Sequence, residues 1–138
     1  MKKTLIGCMY KSPNTSKENV ECMLETRTNE AIAHYDRICI AGDFNYPKIS
    51  WDGTNSNKGD NEVFVECSKD AYLIQKVTKS TRNVRLDQQA NIVDLVLTNV
   101  ESMISEIVHC APLGASDHNV LLFQINVPQK TKESINAL

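Results

Sequence analysis

Two short segments restrict this chain more than any other feature: RICIA at residues 37–41, and the apolar run inside NIVDLVLTN at residues 91–99. A strand with one wet face alternates apolar and polar residues, whereas these runs carry apolar side chains on both faces. Both must therefore be covered on two sides, which requires layers of structure above and below one sheet. Each run also breaks its own pattern once. RICIA leads into Gly42, Asp43, Phe44 and Asn45, and NIVDLVLTN carries Asp94 among its apolar residues.

Other segments supply the covering layers. TLIGCMY, residues 4–10, reads as a first buried strand, followed by a turn-forming KSPNTS loop. From Ser16 to about His34 apolar residues recur at helical spacing (Val20, Met23, Leu24, Ala31, with Ile32 beside it, and Arg27 in the same register). Gly42 is expected to end the second strand. A polar loop from Asn45 to Asp60 carries Tyr46, Ile49 and Trp51, and a second helix over 61–74 turns Val63, Phe64, Cys67, Ala71 and Tyr72 inward. A basic loop, a strand over 92–98, and two more strands near 103–110 and 119–127 complete the pattern. Helices alternate with strands first and strands follow one another later, so the fold class is a mixed α/β (α+β) domain. The expected organisation is one domain over 1–128 and a polar tail over 129–138.

Composition excludes several alternatives. With 138 residues the chain suits a single core, and no apolar run approaches the roughly 20 residues that span a bilayer, so no membrane partner is expected. MKKTLIGCMY has too short an apolar stretch for a secretion signal. Five scattered cysteines without a CxxC pair suggest neither a disulfide framework nor a zinc site, and fit an intracellular location, cytoplasm or nucleus. A net charge of −2 argues against a freestanding electrostatic nucleic-acid binder but leaves room for a local basic edge. KVTKSTRNVR, residues 76–85, is such an edge, with Lys76, Lys79, Arg82 and Arg85 and no acid among them; a solvated loop is its ordinary explanation.

Three places carry residues suited to chemistry. If the chain stays extended past Gly42, Asp43 and Asn45 share a face at the C-terminal end of a strand, where α/β sheets habitually keep their sites; a simple turn also explains the pair. GASDHN, residues 114–119, sets Asp117 and His118 at the entrance of the last strand, where a cap or turn is the plainer account. Asp94 is more pointed, because a carboxylate in an apolar strand needs a partner. A histidine serves, since the carboxylate fixes the ring's tautomer and orientation. His34 and His109 lack such a context and read as structural.

Taken together and in order, IGCMYKSP, IAGDFNYPKISW, STR, NIVDLVLTN and PLGASDHNVLLFQI resemble the endonuclease/exonuclease/phosphatase superfamily, specifically the endonuclease domain of jockey-like non-LTR retrotransposons. The resemblance runs from about Leu5 to Val127. It implies a two-sheet β-sandwich flanked by helices, with a divalent-metal phosphodiesterase site. It further implies that Asp43 readies the attacking water, Asn45 and His118 hold the phosphate, Asp94 orients His118, and Tyr10 hydrogen-bonds the scissile phosphate. Asp117 is implied as the carboxylate near the metal, Mg2+ or Mn2+. Thr81, with Lys79, Arg82 and Arg85 around it, is implied to meet nucleic acid. The implied partners are a DNA phosphodiester backbone and a reverse transcriptase domain of the same element.

One departure qualifies this. In the family, strands ahead of the tyrosine motif contribute an asparagine and a metal-binding glutamate, whereas only nine residues precede Tyr10 here. The expectation is a partial sandwich without those N-terminal strands, with an open apolar sheet edge and weak metal binding. The leading reading is Mg-dependent hydrolysis of DNA, with independent activity doubtful. Two others stand beside it: an inactive remnant that binds or is inert, and a phosphodiesterase or phosphatase acting on phospholipids or inositol phosphates.

Overall fold

In the computed structural model, residues 2–16, 28–82 and 90–129 are described. The first part of the expected N-terminal helix, Arg85 and the tail beyond 129 lie outside those residues.

Strand β1 (Thr4–Tyr10) runs parallel to β2 (Arg37–Asp43), and β2 is antiparallel to β4 (Asp94–Thr98). The short β3 (Ile74–Gln75) pairs with the far side of β4, giving a four-stranded sheet in the order β1-β2-β4-β3. A second sheet pairs β5 (Val108–Cys110) antiparallel to β6 (Val120–Leu122). Two helical segments appear, α1 over residues 28–34 and α2 (Asp60–Asp70). The expected mixed α/β fold with two sheets is what forms.

The alternation of side chains across β2 and β4 produces two cores. Ile38, Ile40, Leu95 and Leu97 point to one face and pack with Ala31 of α1 and Phe64 of α2. Cys39 and Val96 point to the other and meet Val77, Met103 and Ile104, with Leu121, Phe123 and Ile125 closing that layer. Each such residue moved out of water contributes on the order of 1.5–3 kcal/mol, so these two strands hold the molecule together.

Several boundaries differ from the sequence reading, among them the strand expected over 92–98, which begins only at Asp94. Strand β2 continues through Gly42 to Asp43, and the glycine is required by β1: a Cβ there would lie 1.8 Å from the Met9 carbonyl oxygen. Helix α2 stops at Asp70 in a Schellman turn, with Tyr72 N–H bonded to the Lys69 carbonyl and Leu73 N–H to that of Ser68. Tyr72 consequently takes φ 55° and stands 82% exposed instead of facing inward. Ser68 is buried in the helix's inner face, its hydroxyl donating to the Phe64 carbonyl; Ile32 of α1 is exposed. The strand expected over 103–110 is a 3₁₀ turn (Glu101–Met103), an isolated bridge at Ile104 and then β5, and the last strand is likewise shorter than 119–127.

The loop after β2 is polar in sequence but pinned by aromatics. Phe44 and Tyr46 are buried, and the Phe64 ring receives Tyr46 stacked at 4.6 Å, Phe44 at 5.6 Å and Trp51 edge-on at 6.2 Å. The residue following Asp43 is thus anchored in the core, which fixes where the strand's last carboxylate sits.

Candidate active site

The antiparallel register places Asp43 directly opposite Asp94 at the end of the β2–β4 ladder. Like charges in register repel, and both carboxylates are on the face that looks toward the second sheet, as continuing the alternation from Cys39 and Val96 requires. Into that space comes His118 from the segment before β6. Its Nδ1 lies 2.8 Å from Asp94 Oδ2 and its Nε2 4.0 Å from Asp43 Oδ2. An ionised carboxylate only accepts, so Nδ1 carries the hydrogen of that bond and Nε2 is turned toward Asp43.

Asp43 itself closes a turn. Its Oδ1 accepts the N–H of Asn45, which adopts φ 51°, so the chain does not stay extended and the two side chains do not share a face by strand alternation. The turn and the site are one feature. Burial raises the Asp43 pKa and the neighbouring Asp94 charge raises it further, against the opposing pull of the Asn45 N–H, His118 and Arg82.

The segment 80–82 forms the seam between the sheets. Arg82 bridges both Asn91 and His118, and Thr81 donates its N–H to the Asn91 carbonyl and receives the Asn119 N–H at 2.7 Å. The Thr81 hydroxyl accepts the N–H groups of Val93 and Asp94, and the side chain is 0% exposed. A contact between this side chain and nucleic acid is ruled out by burial; Thr81 instead positions the start of β4 and hence Asp94. Asn119 adds a second tie, Nδ2 to the Ser80 carbonyl, and the Ser116 hydroxyl accepts the His118 N–H. Sequence reasoning missed these two; the only signal was their place beside Asp117 and His118 in GASDHN.

Asp117 is half-exposed, and its Oδ2 takes the Arg82 Nε at 2.7 Å, which lowers its pKa; its Oδ1 is 3.8 Å from His118 Nε2. Tyr10 pairs with Asp43 in the β1–β2 register and is 68% exposed at the rim. Lys79 lies away from the cluster, lining a cleft with Lys76, Ser105 and His109.

Among the described residues, Asp43, Asp94 and His118 form a group able to hold a metal ion, offering ligand atoms within 4.8 Å of one another. The two carboxylates fit a hard divalent cation that keeps most of its waters, whereas the imidazole is not a donor such an ion prefers. Asp117, expected at the metal, is outside this group and bound to Arg82.

A family model described as endonuclease-reverse transcriptase matches residues 4–122. The chain belongs to that family. Among solved structures, the endonuclease domain of TRAS1, a telomere-specific non-LTR retrotransposon, is similar with a TM-score of 0.65 and 18% identity, over 87% of this chain and 56% of that one. At this identity the likeness shows the fold, and the chain spans little more than half of the length of that endonuclease domain. No curated protein matches. Among the described residues of this endonuclease-reverse transcriptase family member, no helix is long and apolar enough to cross a membrane.

Proposed function

We propose that this chain is the phosphodiester-cleaving part of a retrotransposon-type endonuclease that nicks DNA with a divalent cation, Mg2+ or Mn2+. The observation that carries the reading is the convergence of Asp43, Asp94 and His118, which come from β2, β4 and the entrance of β6. Asp43 stands at the carboxyl end of β2, the kind of place where open α/β sheets keep their ligands.

Each residue has a task that its surroundings support. Asp94 holds the His118 ring in one tautomer and stabilises its charged form, so that the imidazole donates toward a phosphoryl oxygen as charge grows there. Asp43, made more basic by burial and by Asp94, accepts the proton of the attacking water. Tyr10 at the rim and Asn45 at the turn would hydrogen-bond the substrate phosphate. A cation held by the carboxylates at this strand end would supply a Lewis acid for the phosphoryl oxygens, while His118, with a hydrogen on each nitrogen, stays outside its ligand set. The partner implied is a reverse transcriptase of the same element, acting in the nucleus or cytoplasm.

Supercoiled plasmid incubated with Mg2+ or Mn2+ tests the reading. Wild type should yield nicked circles, and Asp43→Ala, His118→Ala or added EDTA should abolish them; equal nicking by all three proteins would mark a contaminating nuclease and remove the proposal. A second reading, a domain that binds without cutting, is favoured by the Asp117 carboxylate being held by Arg82 rather than among the metal donors. Isothermal titration with Mg2+ on protein shown to be folded by circular dichroism separates the two: absence of heat supports the second.

A further inference from the structure

His118 Nε2 has two carboxylate oxygens near it and is bonded to neither: Asp43 Oδ2 is 4.0 Å away and Asp117 Oδ1 3.8 Å. A hydrogen bond from a charged nitrogen to a carboxylate closes to about 2.7–2.9 Å, so each oxygen stops roughly 1 Å short. Both acids are restrained by another donor. Asp43 accepts the Asn45 N–H through Oδ1, at a strand end anchored by the buried Phe44. Asp117 lies outside the core, half-exposed and next to His118 in sequence. What restrains it is Arg82, whose Nε donates to Asp117 Oδ2 at 2.7 Å and which is the one side chain among the described residues within hydrogen-bonding distance of it. Arg82 serves as a fixed point because its own backbone is tied: it bridges Asn91 and His118, and its carbonyl accepts the Ser80 hydroxyl at 3.1 Å.

We propose that Arg82 is a positioning residue that holds Asp117 back and so keeps the His118 Nε2 hydrogen free for a phosphoryl oxygen of the substrate. This role rests on the nuclease reading, in which that hydrogen is donated as charge grows on the phosphoryl group. Asp94 grips one end of the ring, and Arg82 keeps the other end open. Without the guanidinium, a side-chain rotation at an exposed residue brings Asp117 the last ~1 Å onto Nε2. A hydrogen bonded to a carboxylate in the ground state must be released before it can serve the transition state, and kcat falls.

Rates of plasmid nicking against plasmid concentration, in Mg2+, separate this role from a grip on DNA. Arg82→Gln should lower kcat roughly tenfold and leave KM within about twofold, because transition-state stabilisation is lost while binding is kept. The double variant Arg82→Gln/Asp117→Ala should cut no more slowly than Asp117→Ala alone, since residues that act through one another are not additive. An independent readout needs neither DNA nor metal. The chain has three histidines, so the ring nitrogen resonances of His118 are assigned by comparison with His118→Gln. Arg82→Gln should move the Nε2 resonance of that ring, and the same substitution in the Asp117→Ala background should leave it in place. A raised KM at unchanged kcat assigns Arg82 to a DNA phosphate, and an unmoved ring resonance shows that Asp117 does not close on Nε2; either overturns the proposal while the nuclease reading stands. A wild type that does not nick removes the nuclease reading, and the task of the freed hydrogen with it.

Discussion

Strands β2 and β4 can be compared with themselves. In their middle rows, Ile38, Ile40, Leu95 and Leu97 on one face and Cys39 and Val96 on the other are sealed in two cores. One step further along the same ladder, the register sets Asp43 against Asp94. Identical backbone pairing thus supports opposite chemistries: apolar rows that stabilise the sheet, and a carboxylate pair that strains it. The strain is tolerable because the rows behind it are so well packed, a usual division between scaffold and site.

The largest effect expected is on activity at the charged end. Asp43→Asn keeps the oxygen that accepts the Asn45 N–H but removes the charge, and nicking should fall roughly 10²- to 10⁴-fold in the plasmid assay. The same variant in EDTA should be more stable to urea than wild type, by up to about 1 kcal/mol, because a like-charge pair has been removed. The sign follows from the raised Asp43 pKa: ionised Asp43 opposes folding above that pKa, and the penalty fades as pH falls through it. The variant's advantage should therefore shrink in acid. A less stable Asp43→Asn protein at neutral pH would break the comparison.

In the apolar region the direction reverses. Phe44→Ala, adjacent to Asp43 but 1% exposed, should cost about 3–5 kcal/mol in denaturant unfolding, with lost nicking only as a consequence of unfolding. Thr81→Val sharpens the boundary between the regions. It keeps the buried volume but leaves the N–H groups of Val93 and Asp94 without their acceptor, for a loss of about 1–3 kcal/mol and slower cutting as Asp94 drifts from His118. Smallest of all is Asp52, whose pKa is lowered to about 2 by hydrogen bonds from Thr54 and Ser50. Its help to the fold is complete above the unfolded value near 4 and disappears as pH falls toward 2. Melting curves of wild type and Asp52→Ala should differ slightly at pH 7 and coincide near pH 2.

The Asp94–His118 pairing was legible in the sequence because Asp94 interrupts a strong pattern. Asp94 stands out in an apolar strand, and its need for a histidine partner follows from the cost of a buried charge; the 2.8 Å contact with His118 is that partner. Thr81 was not legible in the same way, since a threonine in a basic segment reads as surface until the fold buries it. Tyr72 failed for a local reason, a helix period continued one residue beyond a left-handed turn. The short β5 and β6 failed because an apolar run sets which residues are inside, while ladder length depends on the neighbour available for pairing.

The order of apolar runs, their two-sided burial and the identity of the odd polar residues within them were settled by the chain alone, since periodicity and the cost of burying charge act locally. That Asp43 faces Asp94, that Arg82 engages Asp117, and that Thr81 holds β4 from inside were decided only when the sheets packed. Register and seam contacts join residues tens of positions apart, and no local preference encodes which distant backbone will supply the partner.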